Sequence, residues 1–449
     1  MKNYSFQVAF KKYVTSGVML TIATICALVM ANSSMRDTYN GFWNQTVSLS
    51  IGEFNLFSHN GVEMSVLSFI NDFLMAFFFL SVGLEIKREI LVGELSSRQK
   101  AILPFIAACG GMIIPVMIFS IVCWGDGQMM RGAAIPMATD IAFSLGVLSI
   151  FSSRVPPSLK IFLAALAVAD DLGGIIVIAT CYSMHIETEF ILYAFITMLA
   201  LIAGNIRGIR SKLFYLSLGL IMWYFILNSG IHATIAGVIL AFCIPATLKT
   251  DTLSFAEQIR TYINQFPTEC ITKDNIKAEI LTGKQMQILK RIETASDHVI
   301  SPLQDMEDSL RNPVSYIVIP VFAFANAGIT FQDIGMESFV SGVGLAVFLG
   351  LAVGKFIGVF TFSWLAIKLK LARKPVGCTW NAFASVCMLS GIGFTVALFI
   401  SDLSFGGGNA GTATILNDAK IGIMAGSVIS GIIGYVMLDK NLPHKKMYT

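Results

Sequence analysis

Phe162-Leu-Ala-Ala-Leu-Ala-Val-Ala-Asp-Asp-Leu-Gly-Gly-Ile-Ile-Val-Ile178 sets two adjacent carboxylates, Asp170 and Asp171, in the middle of an apolar run. Such a run suits the hydrocarbon core of a bilayer, which a helix crosses in about 20 residues. A charge at mid-bilayer costs roughly 2.5–3.5 kcal/mol on insertion scales, so charges there are rare and usually functional. Neighbours on a helix point about 100° apart, so the two carboxylates cannot face one partner equally. One can face an open cavity while the other meets a neighbouring helix. A purely structural pair neutralised by a lysine would need only one of them.

The rest of the chain has the same character. Of its 449 residues 55% are hydrophobic and 13% charged, about half the charged fraction of a soluble protein. The net charge of +3 comes without a basic patch interleaved with aromatics, so no nucleic-acid partner is expected. Eight scattered cysteines form no Cys-x-x-Cys and sit mostly in apolar runs. They read as small hydrophobes, not as a disulfide frame or zinc site. The run Val14 to Ala31 is too long for a signal-peptide core and lacks an Ala-x-Ala site, so it reads as an uncleaved first span.

Twelve apolar spans are expected, near 14–32, 66–84, 102–122, 129–150, 157–182, 188–204, 212–227, 230–247, 313–331, 338–364, 381–401 and 419–437. They lack the alternation of barrel strands, so the fold class is an all-α polytopic membrane protein. With residues 1–13 in the cytoplasm, 27 basic residues fall on inward segments and three, Arg36, Arg131 and Lys420, on outward ones. That bias fits the positive-inside rule. Lys355 is left over, inside the tenth span. Residues 14–437 thus read as one transporter domain, with 438–449 a cytoplasmic tail.

Two segments lie outside the spans. The outer loop 33–65 contains Thr46-Val-Ser-Leu-Ser-Ile51, then Gly52-Glu53, then Phe54-Asn-Leu-Phe57. Alternation around a short turn predicts a β-hairpin, whose edge could pair with a second subunit. The long cytoplasmic loop 249–312 is charged, and 284–311 could form an amphipathic helix. It carries no catalytic motif.

Beyond the aspartate pair, Asp140 and Lys355 also fall inside spans, while Asp72 lies near an outer helix end. In Ala133-Ala-Ile-Pro-Met-Ala-Thr-Asp-Ile-Ala-Phe143, Pro136 disrupts the helix and Thr139 or Asp140 can cap its resumption. Broken helices inside a membrane line ion sites. In the eleventh span Ser390-Gly-Ile-Gly-Phe-Thr395 carries two mid-span glycines, Gly391 and Gly393. Spans four and eleven run in opposite directions, which points to inverted repeats with two crossed interrupted helices. Asp140 and Lys355 have the signs to offset the positive and negative ends of the broken helices. Sodium, a hard cation, takes oxygen ligands. A buried carboxylate that holds either a proton or sodium, but not both, is the simplest exchanger.

These residues together resemble the NhaA-type sodium/proton antiporters. The resemblance rests on Phe69-Ile-Asn-Asp-Phe-Leu-Met75, Gly83-Leu-Glu-Ile-Lys-Arg-Glu89, Ile135-Pro-Met-Ala-Thr-Asp-Ile-Ala-Phe143 and Ala169-Asp-Asp-Leu-Gly173. It continues through Ser229-Gly-Ile-His-Ala-Thr234, Phe322-Ala-Phe-Ala-Asn-Ala-Gly328, Gly354-Lys355 and Gly391-Ile-Gly-Phe-Thr395. It implies electrogenic exchange of Na+ or Li+ for H+ and no cofactor. Asp171 would be the main ion and proton carboxylate, Asp170 its lysine-paired neighbour, and Thr139 a further oxygen for Na+. The resemblance further implies a bacterial inner-membrane protein with both termini cytoplasmic, and a homodimer through the outer loop at 46–57. Glu85, Glu89, His232 and Glu307 resemble positions tied to pH response. The stretch 249–301 is longer than the resemblance leads one to expect and carries none of these motifs.

Other classes are open to the residues alone. A sodium-coupled symporter with crossed broken helices would be expected to hold sodium by neutral oxygens. An intramembrane aspartyl protease needs two facing aspartates sharing a proton, but the Tyr-Asp and Gly-x-Gly-Asp patterns of such enzymes are missing near these aspartates. An ion channel would not require the lysine.

Overall fold

The computed structural model describes residues 16–442 apart from 52–53, 56, 60–61, 152–153, 183–185, 248–250, 268–280, 331–341 and 407–409. The N-terminal segment 1–13, most of the tail and the hairpin turn Gly52-Glu53 therefore lie outside the described residues. In chain order come α1 Ser16–Ala31, α2 Arg36–Trp43, five short strands, α3 Val66–Leu91, α4 Arg98–Val122, a 3-10 helix Met129–Met137 and α5 Ile141–Ile150. Then follow α6 Pro157–Cys181, α7 Thr188–Ile206, α8 Lys212–Asn228, α9 Ile235–Cys243, α10 Thr252–Asn264 and α11 Gly283–Val299. Next is α12, built from Pro302–Pro313, a π turn Val314–Val318 and Ile319–Asn326. Last come α13 Val343–Lys368, α14 Trp380–Leu389, α15 Phe394–Phe405 and α16 Ala410–Asn441.

Among the described residues seven helices are long and apolar enough to cross a bilayer, or nine if each of two bent pairs is one span. The chain is a multi-pass all-α membrane protein. Large apolar side chains of α7, among them Leu192, Phe195 and Ile196, are about half exposed. In water such a face would be an aggregation patch; in a bilayer it meets acyl chains.

Helix ends follow local chemistry. Ser65, Ser211, Ser301 and Thr379 cap α3, α8, α12 and α14 through their hydroxyls, and Asp251 caps α10 by accepting from the Ser254 N–H at 2.6 Å. Asp251 is exposed, and the bond to its charged form holds its carboxyl below the usual range. Thr282 and Gln285 form a reciprocal capping box at the start of α11.

Several boundaries differ from the sequence expectation. The span placed at 230–247 is helical only over Ile235–Cys243, because Gly230 sits at φ +81° and Ile244-Pro245 leaves in extended conformation. The span placed at 313–331 ends at Asn326. The last helix reaches from Ala410 to Asn441, far longer than 419–437. The outer loop includes helix α2, bent 115° from α1. Its Tyr39 and Trp43 are buried against Phe324. After α2, Ser50–Ile51 pairs antiparallel with Phe54–Asn55, and Val62–Ser65 pairs with both Thr46–Val47 and Ser58–His59. The single helix expected over 284–311 is two, since extended Ile300 and the Ser301-Pro302 start separate α11 from α12.

α13 packs along α4, and α9 along α3. The first contact is close: a Cβ on Gly358 would overlap the Gly110 carbonyl, and one on Gly354 would lie 3.0 Å from the Pro115 Cα. This approach carries Lys355 into the interior.

Candidate functional site

The fourth span changes conformation within its length. The 3-10 helix ends at Met137, Ala138 and Asp140 are extended, and α5 begins at Ile141. The eleventh span breaks over Ser390–Gly393, with 41° between α14 and α15. The two breaks touch. The Asp140 N–H donates to the Ile392 carbonyl at 2.7 Å, and the Thr139 hydroxyl reaches the Ser390 carbonyl at 3.2 Å. Gly391 and Gly393 keep negative φ, so they are not there for left-handed backbone. They are there for space: a Cβ on Gly393 would lie 2.9 Å from the Ala138 carbonyl oxygen, and one on Gly391 2.6 Å from the Ser430 hydroxyl.

Asp140 joins both interrupted spans. It caps α5 by accepting from the Phe143 N–H at 3.1 Å. Its other oxygen accepts from the Thr395 N–H at 3.1 Å and the Thr395 hydroxyl at 2.7 Å, at the start of α15. One negative charge thus meets two helix N-termini, where it is favoured. Lys355 meets the opposite end: its ammonium donates to the Met137 carbonyl, the last of the 3-10 helix.

The aspartate pair divides. Asp170 Oδ2 lies 2.8 Å from Lys355 Nζ, with both side chains fully buried, and accepts from the Thr139 hydroxyl at 2.6 Å. Asp170 Oδ1 is buried without a hydrogen-bond partner among the described residues. Asp171 makes no side-chain hydrogen bond or ion pair among the described residues. It lines a cavity of about 420 Å³ shared with Asp140, Thr139, Glu85, Glu307 and Arg311. The oxygens of Asp171, Asp170 and Thr139 are hard donors of the kind Na+ takes.

The other predicted residues fall in two places. Glu85 lines the cavity. Glu307, which also lines it, is buried and accepts from Arg88 at 2.9 Å and Arg311 at 3.3 Å, and Arg88 also meets Glu89 at 3.0 Å. His232 is elsewhere: Nδ1 is 3.0 Å from the Thr234 hydroxyl and Nε2 3.6 Å from Asp72. Asp72, placed by the sequence near an outer helix end, is only 19% exposed. Beside it lies a polar cluster that sequence reasoning missed. Asn71 donates to Asp402 at 2.6 Å, Asn71 and Asn326 exchange amide hydrogen bonds, and Lys420 acts on Asp402 electrostatically. Asp402 falls one residue beyond the expected end of the eleventh span, where charge attracts no notice. Its only sequence signal is the amphipathic mismatch of an acid in Phe399-Ile-Ser-Asp-Leu-Ser-Phe405.

Comparison with known proteins places the chain in a family. The family described as Na+/H+ antiporter 1 matches residues 7–438. A Na(+)/H(+) antiporter NhaA of Bacteroides fragilis is 50% identical over 433 residues, covering 96% of this chain and 97% of the relative. The protein of that name from Bacteroides thetaiotaomicron is 49% identical over 99% of this chain and 98% of its own length. That from Sulfurimonas denitrificans is 41% identical over 94% and 92%. With a broken-helix pair around a buried lysine–aspartate contact and a match along nearly its whole length, the chain belongs to the Na+/H+ antiporter 1 family.

Proposed function

We propose that this protein exports Na+, or Li+, in exchange for inward H+, by competition of the two ions for Asp171. One observation carries the reading: of two adjacent buried carboxylates, Asp170 is committed to Lys355 and Thr139, while Asp171 lines the cavity with no side-chain partner among the described residues. Asp171 holds a proton or, once it is released, a sodium ion. The unpartnered Oδ1 of Asp170 and the Thr139 oxygen complete the donor set for the cargo. Alternating access then carries the loaded or protonated site across.

The basic residues orient the chain with both termini inside, so the cavity that ends at Arg311 opens to the cytoplasm. The bundle is a single transporter domain over 14–437 with twelve spans, and the touching breaks belong to two crossed interrupted helices of an inverted repeat. Exchange is electrogenic, more protons entering than sodium leaving, in a bacterial inner membrane. The Glu307–Arg88–Arg311 network with Glu85 and Glu89 at the cavity sets the pH response, and His232 contributes from the far side. The strands around 46–57 form the contact of a homodimer.

Sodium-dependent proton flux in proteoliposomes tests the reading. The wild type dissipates a pH gradient on addition of Na+ or Li+, and Asp171→Asn abolishes this. Full exchange in that variant would overturn the assignment, and sodium-driven uptake of an organic solute without proton movement would replace it with symport.

A further inference from the structure

A second, small cavity at Asp171 is walled by Phe79, Ile178 and Ile400. The buried ring of Phe399 continues this wall, 5.5 Å from the ring of Phe79 and 6.3 Å from that of Phe322. His232 stands edge-on to Phe399 at 5.3 Å. The aromatic layer therefore separates the ion site from His232 and Asp72, and the polar cluster of Asn71, Asn326 and Asp402 adjoins that outer group.

The cluster ties together parts of the molecule that carry the site. Asp402 lies on α15, about two turns past Thr395, which holds Asp140. Asn71 lies in the π turn Ile70–Leu74 of α3, the helix that also carries Glu85 and Phe79. Asn326 is the last residue of α12, which also carries Glu307. A π turn holds one residue more than an α turn and is a common place for a helix to change register. A hydrogen bond to a carboxylate is about twice as strong as one between neutral groups, so the Asn71–Asp402 contact, at 2.6 Å, is the strongest hydrogen bond among these three side chains, beside the electrostatic pull of Lys420 on Asp402.

We propose that Asp402 is the latch of the outer gate. Through Asn71 and Asn326 it pins α15 to α3 and α12 while Asp171 faces the inner cavity, and it exchanges those amides for water when the site faces outward. Asp402 is a positioning residue, acting on access to Asp171 without touching the ion there. The proposal rests on the antiport reading.

Sided kinetics test it. Sodium-driven proton movement is measured in everted and right-side-out vesicles, which present the inner and outer faces. Loss of a bond to a charged group shifts the access equilibrium roughly tenfold, and apparent affinity scales with the competent fraction. Asp402→Ala therefore lowers the outer apparent KM for Na+ by up to about tenfold and does not lower the inner one. D402N, which keeps an acceptor but not the charge, lies between. A general packing defect would move both faces alike; that result, or an unchanged outer KM, overturns the latch. Absence of sodium-driven proton movement in the wild type overturns the antiport reading, and the latch with it. If D402A does not fold, the double variant Asn71→Cys, Asp402→Cys is joined with a short bis-methanethiosulfonate, beside wild type treated the same way. Transport falls to background and returns on reduction if the latch must open; undiminished transport in the linked protein refutes it.

Discussion

Removing the lysine from the buried ion pair gives the sharpest test of how this core is balanced. Lys355 and Asp170 are both fully buried at 2.8 Å, and among the described residues the other polar groups bonded to them are the Thr139 hydroxyl and the Met137 carbonyl. Lys355→Met keeps most of the volume but leaves a carboxylate in the interior with one neutral donor. Breaking a buried pair from one side costs about 3–5 kcal/mol. The double variant Lys355→Met, Asp170→Asn leaves no charge, and the amide oxygen still accepts from Thr139. Replacing both members of a buried pair is often close to neutral, so the double variant regains at least about 2 kcal/mol over the single one, the value of a charge no longer left unpaired. The assay is reversible unfolding in mixed micelles followed by the fluorescence of the five tryptophans. A single variant within about 1 kcal/mol of wild type, or a double variant no better than the single, would refute the reasoning that this pair is a mutually compensated buried charge.

Other outcomes follow from the same geometry. Asp171→Asn, which breaks no side-chain bond seen among the described residues, abolishes sodium-driven proton flux yet elutes from size-exclusion chromatography as wild type does. Thr395→Val removes the hydroxyl that Asp140 accepts at 2.7 Å; about 1.5–3 kcal/mol of stability is lost, read in the same micelle titration. Gly393→Val must displace the Ala138 carbonyl or Leu351, which a Cβ would approach to 2.9 and 2.8 Å; overpacking costs roughly 1–3 kcal/mol and transport falls with it. Replacing residues 46–57 by a short Gly/Ser linker, which leaves the Ser65 cap of α3 in place, converts the dimer proposed above to a monomer by light scattering while proton exchange persists in proteoliposomes.

Much of the site was legible in the sequence because a membrane makes polar residues conspicuous. Asp140, Asp170 and Lys355 stand out in apolar runs, and Pro136 marks the first break directly. The second break was legible but for an incomplete reason. Gly391 and Gly393 suggest a loosened helix, whereas what requires them is the closeness of Ala138 and Ser430, groups far away in the chain. Asn71 and Asp402 escaped notice because they sit near helix ends, where a polar residue costs little unless a neighbour covers it. Helix α2 escaped for a similar reason: its buried Tyr39 and Trp43 gain their place only against Phe324. The short α9 was overextended because apolar content marks depth in the membrane, not helix, and Gly230 ends the pattern by backbone alone.

The sharing of Asp140 between two interrupted spans has an evolutionary side. A chain that loses the Thr395 hydroxyl leaves a buried carboxylate oxygen with one donor fewer, and a chain that loses Asp140 leaves the N-termini of α5 and α15 uncovered together. Asp140 and Thr395 are therefore expected to vary together, and recombination between distant antiporters to be tolerated best where the crossover leaves both segments from the same parent.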